Sequence, residues 1–238
     1  GQHVLATKTD GTLWAWGVNG YGQLGNSNTT SYSSPIQVGA LTTWSKMTGA
    51  NQSSAAVKTD GTLWTWGYNG SGILGNGNVL PLSSPGQVGT LTTWSDVSMG
   101  GHNTIATKTD GTLWGWGRNA AGALGQGNII AYSSPVQIGA LTTWLQASAG
   151  YTCTLAIKTD GTLWAWGNNN QGELGQGNTT SYSSPVQVGA LTTWLTVSAG
   201  LYSTYATKTD GTLWAWGWNN NGQIGNGAQG TNISSPVQ

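Results

Sequence analysis

Apolar residues alternate with polar or small residues in short runs along the whole chain, and no run has the 3.6-residue period of an amphipathic helix. The stretch "KTDGTLWAWG" begins at Lys8 and returns at Lys58, Lys108, Lys158 and Lys208, with one changed position, between the two tryptophans. Two β-type runs flank Asp-Gly in each copy, and this dipeptide indicates a tight hairpin because glycine adopts positive φ without steric cost. The pattern predicts an all-β chain made of repeats of about 50 residues.

Each repeat contains four runs with the features of short strands. In the copy from Lys158 to Thr207, the hairpin runs are followed by "SPVQVG" and "WLTVSAG". The proline of the third run suits an edge strand, because proline cannot donate to a sheet ladder. The fourth run ends in small residues, which permit a crowded environment. We therefore expect four-stranded sheets with a peripheral third strand.

The second hairpin strand is apolar on both faces. Alternation puts Leu13 and Ala15 on one face and Trp14 and Trp16 on the other, so the sheet must be covered on both sides. We expect the paired tryptophans to form the structural core: Trp14, Trp16, Trp64, Trp66, Trp114, Trp116, Trp164, Trp166, Trp214 and Trp216. For a second set, which follows "LTT", burial and partial exposure are both open: Trp44, Trp94, Trp144 and Trp194.

Repeated four-stranded sheets that are covered on both faces describe the blades of a β-propeller, with a β-solenoid as the alternative. The segment "GYTCTLAIKTDGTLWAWGNNNQGELGQGN" has a glycine, a short apolar strand, a "DG" turn and then "WGxNxxGxLG". It resembles the regulator-of-chromosome-condensation repeat, and all five copies carry the motif. The resemblance implies a propeller, usually of seven blades, and we expect a bacterial or phage-type member of that family.

We expect one propeller domain over residues 1–238. The repeat units are 8–57, 58–107, 108–157, 158–207 and 208–238, with residues 1–7 expected to complete the last blade. The segment 188–200 has no counterpart after Gln238 or before the first copy. Both a ring closed by the two ends and a window from a longer array fit this pattern.

Charge is scarce and balanced, with seven basic and seven acidic residues. Five of each belong to the repeated Lys and Asp of "KTDG", such as Lys8 and Asp10, which we expect to be solvated turn residues with a weak ion pair. No basic stripe exists to attract a phosphate backbone, so we expect no nucleic-acid partner. No apolar run approaches 18 residues, so we expect no membrane insertion.

Catalytic, cofactor and metal motifs have little support. The segment Gly20–Gly25 fits G-x-G-x-x-G, but "NSNTTSYSSP" follows it and cannot start the helix that a dinucleotide site needs. The only histidines, His3 and His102, have no carboxylate cluster near them in sequence. The single cysteine, Cys153, occupies a variable position, which favours a tolerated small residue. We expect no catalytic residue, no cofactor and no metal, and hence no enzyme.

The copies differ at two kinds of loop position. One follows the second tryptophan of the pair, and the other precedes the first hairpin strand. Constant frames with variable loops are typical of recognition surfaces, although drift at unconstrained positions produces the same pattern. The candidate binding loops contain Val18, Tyr21, Tyr68, Arg118, Asn168, Trp218, Gln52, His102, Tyr151 and Tyr202.

These observations favour a non-catalytic recognition or structural module. The low charge and the surface rich in Ser, Thr, Asn and Gly favour an extracellular or virion assembly, such as an adhesin, an appendage or a decoration protein. The expected partner is a protein or glycan surface. The family resemblance implies an exchange factor for a small GTPase as one alternative, and a protein inhibitor of an enzyme, which shares the propeller type, is a second. Carbohydrate binding through exposed Trp and Tyr is a third.

Overall fold

The structure is a computed structural model that describes residues 2–238. This range contains nineteen β-strands and no helix, so it has no helix long and apolar enough to cross a membrane. The strands form five antiparallel sheets, one with three strands and four with four strands. We number the sheets 1 to 5 in chain order. The all-β prediction is confirmed.

A hairpin forms the middle of every sheet, as the repeated Asp-Gly predicts. Its strands pair in continuous register, for example Ser53 with Gly67 and Val57 with Leu63. The first strands of the hairpins are β1 (His3–Thr7), β5 (Ser53–Lys58), β9 (Asn103–Lys108), β13 (Cys153–Lys158) and β17 (Ser203–Lys208). The second strands are β2 (Leu13–Gly17), β6 (Leu63–Gly67), β10 (Leu113–Gly117), β14 (Leu163–Gly167) and β18 (Leu213–Gly217).

The remaining strands flank the hairpins. The proline-containing outer strands pair with the second hairpin strands and are β3 (Tyr32–Gln37), β7 (Leu82–Gln87), β11 (Tyr132–Gln137), β15 (Tyr182–Gln187) and β19 (Ile233–Val237). The inner strands pair with the first strand of the next hairpin along the chain and are β4 (Trp44–Gly49), β8 (Trp94–Met99), β12 (Trp144–Ala149) and β16 (Trp194–Ala199). The peripheral third strand is thus confirmed.

Each hairpin turn is held by a chain of side-chain hydrogen bonds. In the turn of sheet 2, Asp60 Oδ1 accepts from the Thr62 amide at 2.9 Å and from Thr62 Oγ1 at 2.6 Å. Thr62 Oγ1 in turn accepts from Trp64 Nε1 at 2.8 Å. Lys58 is buried, with its Nζ 3.5 Å from the ring centroid of Trp64 and 4.8 Å from that of Trp44. Lys58 therefore packs on indoles, and the expectation of a solvated turn lysine is wrong for it, whereas Lys8 and the turn aspartates are exposed as expected.

Neighbouring sheets pack face to face through tryptophan. The side chains of Trp66, Trp116, Trp166 and Trp216 are completely buried. Trp66 packs at Gly25 of sheet 1, and its Nε1 donates to the backbone oxygen of Gln23 at 2.9 Å. The ring of Trp44 lies 6.0 Å from that of Trp66 and 6.3 Å from that of Trp64. All three rings belong to sheet 2, and the same three-indole cluster recurs in sheets 3, 4 and 5.

The predicted core needs two corrections. The first tryptophan of each pair is half-buried, because its ring also forms the surface on which the lysine lies: Trp14, Trp64, Trp114, Trp164 and Trp214. Trp16 is also half-buried, because no sheet precedes sheet 1 in residues 2–238. The tryptophans after "LTT" are buried core residues, which decides between the two possibilities for this set.

The strand pairing also corrects the expected closure of the last blade. Residues His3–Thr7 pair with Leu13–Gly17 in sheet 1, whereas sheet 5 has four strands of its own. The expectation that residues 1–7 complete the last blade is therefore wrong for the strand that the structure describes; residue 1 lies outside the described range. The cause is local, because the Asp-Gly turn joins β1 directly to β2.

The inner strands meet near the centre of the arrangement and are hydrogen-bonded to one another. The amide of Met99 donates to Thr48 Oγ1, that of Ala149 to Ser98 Oγ, and that of Ala199 to Ser148 Oγ. At the ends of these strands the backbones come close together. A Cβ added at Gly100 would lie 2.0 Å from the backbone oxygen of Gly150. The small residues that end this run are thus required by packing, as the sequence predicts.

Candidate functional site

The two variable kinds of loop position meet at one edge of the sheets. Because the hairpin strands are antiparallel, the end of the second strand lies beside the start of the first. The amide of Tyr68 donates to the backbone oxygen of Gln52 at 2.8 Å. In the same way, the amide of Arg118 donates to the backbone oxygen of His102 at 2.9 Å. The amides of Val18, Asn168 and Trp218 make the equivalent bonds to Gln2, Thr152 and Tyr202. We call this edge the variable face.

A glycine before each of these positions allows the two segments to approach. Gly67 has φ +97°, and a Cβ there would lie 2.4 Å from the backbone oxygen of Gln52. Any side chain would therefore push the loops apart and break the Tyr68–Gln52 bond. The same glycine ends the second hairpin strand in all five copies.

A buried asparagine organises the loop on the other side of the variable residue. In sheet 2, Asn69 Oδ1 accepts from the amide of Leu74 at 2.9 Å. Its Nδ2 donates to the backbone oxygens of Asn78 and Leu80, each at 3.0 Å. One amide side chain thereby makes hydrogen bonds to three backbone groups of a long loop. Residue 68 therefore sits between two fixed points, the glycine and the asparagine, and can vary without disturbing the frame.

Aromatic side chains form a continuous row on the variable face. The ring of Tyr151 lies 5.5 Å from that of His102 and 6.3 Å from that of Tyr202, which lies 6.0 Å from Trp218. All four side chains are half-buried. We call His102, Tyr151, Tyr202 and Trp218 the aromatic row. Because successive members belong to sheets 3, 4 and 5, the row crosses the boundaries between sheets.

A second aromatic pair and a depression extend the row toward sheet 1. Tyr21 and Tyr68 pack edge to face with centroids 5.2 Å apart. A cavity of about 340 Å³ lies between Tyr68, Gln52, His102 and Tyr151. The face therefore presents aromatic edges, amides and a shallow depression over several sheets. Aromatic side chains are enriched in the buried centres of protein–protein interfaces.

Charge on the variable face is sparse and partly hidden. Arg118 is exposed, and burial together with this nearby guanidinium lowers the pKa of His102. Glu173 is buried beneath the face, where its carboxylate accepts from the Gln171 amide at 2.8 Å and from Asn168 Nδ2 at 3.2 Å. Burial raises the pKa of Glu173. Glu173 is absent from the sequence-predicted residues, although its place among only two acidic residues outside the repeated Asp was a usable signal.

The sequence-predicted loop residues all lie on this face. Val18, Tyr21 and Arg118 are exposed, whereas Tyr68, Asn168, Trp218 and Gln52 are half-buried alongside the aromatic row. The structure thus brings together residues from both variable segments that are up to 200 positions apart in sequence. That these residues bind a partner stays a prediction.

The structure also places the residues considered for catalysis. Cys153 is buried, and burial, with a contribution from Glu173, raises the pKa of its thiol to about 12, so it holds no thiolate at neutral pH. His3 is buried at the edge of sheet 1 and bonds Ser54 Oγ through Nε2 at 2.8 Å. Within residues 2–238 no group of three or more His, Cys, Asp or Glu side chains could hold a metal ion.

Comparison with known proteins assigns the family. The profile of the RCC1-like domain matches residues 1–238. The chain belongs to the RCC1-like domain family. Among solved structures, human WBSCR16 superposes with a TM-score of 0.88 at 21% identity and covers 99% of this chain. Prp20p from Saccharomyces cerevisiae superposes with a TM-score of 0.64 at 17% identity over 100% of the chain. The entire ectodomain of the receptor kinase CR4 from Physcomitrella patens gives 0.59 at 15% identity over 94%.

These likenesses establish an RCC1-like β-propeller fold. The chain spans 64% of the WBSCR16 chain, 74% of the Prp20p chain and 51% of the CR4 ectodomain. It therefore corresponds to part of each of these structures, and this part consists of the five sheets of the chain.

Proposed function

We propose that this RCC1-like chain is a non-catalytic recognition module, and that its variable face binds a protein surface in an extracellular or virion assembly. The observation that carries the proposal is the convergence of both variable segments on one face. Drift would leave variable side chains scattered over loops at both edges of the sheets. Here they form one connected surface of aromatic and amide groups around a shallow depression.

The chemistry of the face favours a neutral or weakly acidic partner. Aromatic side chains supply contact area, and Arg118, exposed beside the half-buried His102, supplies directional hydrogen bonds. The thiol of Cys153 is buried and Glu173 is shielded beneath the surface, so neither group is presented to a partner. Surfaces of this kind bind by complementarity and need no chemical step.

A second candidate, exchange activity on a small GTPase, is favoured by the family alone. Prp20p has binding properties toward Gsp1p and histones, and yeast RCC1 has been crystallised with Kap60 bound to it. Histones are strongly basic, whereas the formal net charge of this chain is zero. Protein recognition is thus the property that we carry over from these relatives, without their individual partners.

The test compares two triple variants on opposite edges of the sheets. The first replaces the variable-face residues Tyr68, Arg118 and Trp218 by alanine. The matched control replaces Leu91, Leu141 and Leu191, which are nearly half exposed in loops on the other edge. Purified chain carrying a photo-crosslinker at position 18 is incubated with the secreted and particle fractions of its source, and crosslinked proteins are identified by mass spectrometry.

We expect the variable-face variant to lose the crosslinked protein and the control to keep it. Equal capture by both variants would contradict the proposal. Two further assays separate the alternatives: a glycan array, and release of fluorescent GDP from a purified small GTPase. A glycan signal or nucleotide release that disappears only in the variable-face variant would replace protein docking by that activity.

A further inference from the structure

A cleft recurs between neighbouring sheets at the edge opposite the variable face. Between sheets 3 and 4 it has a volume of about 480 Å³, and its border includes Leu141, Trp144, Lys158, Trp164 and Pro185. Equivalent clefts of about 390 Å³ and 340 Å³ lie between sheets 1 and 2 and between sheets 4 and 5. Sheet 2 packs on sheet 3 and sheet 5 packs on sheet 4, so the first cleft lies within the series of sheets. These volumes are in the range of binding sites for small molecules.

One wall of the cleft between sheets 3 and 4 is an indole in a fixed orientation. Trp164 Nε1 donates to Thr162 Oγ1 at 2.9 Å, and Thr162 Oγ1 donates to Asp160 Oδ1 at 2.7 Å. The ring is half-buried, and because its nitrogen is already paired, the surface that it presents to the cleft is apolar. The exposed Leu141 and the half-buried Pro185 add to the apolar lining. A flat apolar wall of this kind suits the face of a ring.

The cleft also contains a buried positive charge. Lys158 is only 8% exposed, and its Nζ lies 3.6 Å from the ring centroid of Trp164 and 5.0 Å from that of Trp144. The described residues that line the cleft include no acidic side chain, and the nearby Asp160 accepts hydrogen bonds from Thr162. Trp144 is buried, and its Nε1 has no hydrogen-bond acceptor within residues 2–238. The cleft therefore has donors without a matching acid, which favours a ligand with a negatively charged acceptor.

Neutral polar groups complete the lining. Gln126 Nε2 donates to the backbone oxygen of Gln137 at 2.9 Å, which fixes this amide at the cleft. The side chain of Ser184 is exposed at the same cleft. A ligand that matches all of these groups has a ring with an apolar face, several hydroxyl groups at its edge and a carboxylate. A pyranose ring that carries a carboxylate has this combination.

We propose that these clefts bind pyranose units that carry a carboxylate, such as the hexuronic acid units of an acidic polysaccharide. The apolar face of the sugar ring packs on Trp164, the carboxylate pairs with the ammonium of Lys158, and the hydroxyl groups lie toward Gln126 and Ser184. The cleft between sheets 1 and 2 repeats this lining with Trp64, Lys58 and Ser84. A polymer with several such units gains avidity by occupying more than one cleft.

A pair of matched ligands tests the chemistry of the site. Oligomers of galacturonic acid are titrated into the chain by calorimetry, and the same oligomers with methyl-esterified carboxyl groups are the control. The charged oligomers should bind roughly tenfold more tightly than the esters, because a charge-assisted hydrogen bond is lost in the ester. Added salt should weaken the binding of the charged oligomers only. Equal binding of the ester, or equal binding of acetate or benzoate, would overturn the proposal of an acidic sugar.

A single variant locates the site, because the chain contains its own reference cleft. In wild type, the charged oligomers should shift the NMR signals of the indole N–H groups of Trp64 and Trp164. In Lys158→Met, which keeps an apolar side chain on the indoles, the shift at Trp164 should be lost and the shift at Trp64 should persist. Lys46→Met removes an exposed lysine outside the clefts and should keep both shifts. A ligand-induced shift at Trp164 that survives Lys158→Met would overturn the proposal.

The variants of the recognition test separate this site from the variable face. The variable-face triple variant should bind the charged oligomers like wild type. The variant of Leu91, Leu141 and Leu191 should bind them more weakly, because two of these leucines border the clefts. If only the variable-face variant lost the oligomers, the sugar site would lie on that face, and the cleft proposal would be overturned without affecting the proposed recognition function.

Discussion

The indole nitrogen of Trp66 donates a hydrogen bond to the backbone oxygen of Gln23, 2.9 Å away on the preceding sheet. Both residues are completely buried. The indole of Trp66 therefore stabilises the interface in two ways. Its ring fills the space between the sheets, and its only polar atom is hydrogen-bonded. An equivalent indole-to-backbone hydrogen bond recurs at all four interfaces, so every pair of neighbouring sheets is joined by the same kind of contact.

Replacing Trp66 by phenylalanine should destabilise the chain by about 3 kcal/mol. The smaller ring leaves a cavity, and the lost bond removes one of two donors to Gln23. Urea unfolding followed by circular dichroism measures the change. Trp16→Phe, studied in dilute protein, is the matched control, because Trp16 is half-buried with no preceding sheet in residues 2–238. Equal losses in the two variants would contradict the assigned role of the interface bond.

Replacing Gly100 by alanine should be strongly destabilising, by about 3 kcal/mol. Its Cβ would meet the backbone oxygen of Gly150 at 2.0 Å, and backbone cannot rotate away as a side chain can. The chain contains its own control, because Ala50 occupies the equivalent position in sheet 2. Ala50→Gly should change the thermal midpoint little. A Gly100→Ala variant as stable as wild type would show that the inner strands are less tightly packed than described.

The repeat frame was predictable from sequence because it depends on local signals. Asp-Gly fixes the hairpin through glycine's positive φ, as at Gly61, and proline fixes the outer strand at an edge. The fourth run predicts the inner strand as an element, yet this strand joins the sheet of the hairpin that follows it and not that of the hairpin that precedes it. Sequence periodicity is the same for either choice, so only the packing of the chain decides which sheet takes the strand.

The burial of individual side chains was less predictable. Lys58 belongs to a turn sequence that is typical of solvent-exposed turns, but its ammonium lies over two indoles from different parts of the repeat. Trp44 follows a polar "LTT" and is nevertheless buried, because Trp64 and Trp66 of its own sheet and Val38 of the preceding sheet pack around it. The variable loop positions were identifiable as varying, but their convergence into an aromatic row depends on strand direction and on the stacking of sheets.

Stability should fall on mild acidification because of His3. Burial lowers the pKa of this imidazole to about 4, below its unfolded value near 6.5. Between these values the unfolded state binds more protons, so stability decreases as pH falls through this window and levels off below pH of about 4. Ser54 Oγ donates to Gln23, so His3 Nε2 donates to Ser54, and Nδ1 is the atom that would be protonated.

His3→Gln should flatten this pH dependence by about 2 kcal/mol. The measurement is the urea midpoint of dilute protein at a series of pH values, with the imidazole pKa followed in parallel by NMR. An unchanged slope in the variant would assign the acid sensitivity to other groups. A titration near pH 6.5 in the native state would show that the ring is solvated.

Thr62→Val should remove the hydrogen bonds that the Thr62 hydroxyl makes in the hairpin turn, while keeping the shape of the residue. The indole of Trp64 loses its acceptor, which costs about 1 kcal/mol at any pH. Asp60 loses the hydrogen bond that is the largest cause of its lowered pKa, ahead of the Thr62 amide. A carboxylate with a lowered folded pKa contributes stability above its unfolded pKa, and that stability is lost as pH falls through the folded value.

The difference in stability between wild type and Thr62→Val should therefore be largest at neutral pH and smaller in acid. The part that remains in acid is the cost of the hydrogen bond lost by the Trp64 indole. Thermal unfolding at pH of about 7 and about 3, on either side of the ordinary Asp pKa, measures both parts. Thr59→Val is the matched control, since Thr59 is exposed in the same turn and its amide bonds the backbone of Thr43. It should leave both values near wild type. A gap that is the same at both pH values would mean that Thr62 acts only through Trp64, and that the Asp60 bond adds nothing to the stability of the turn.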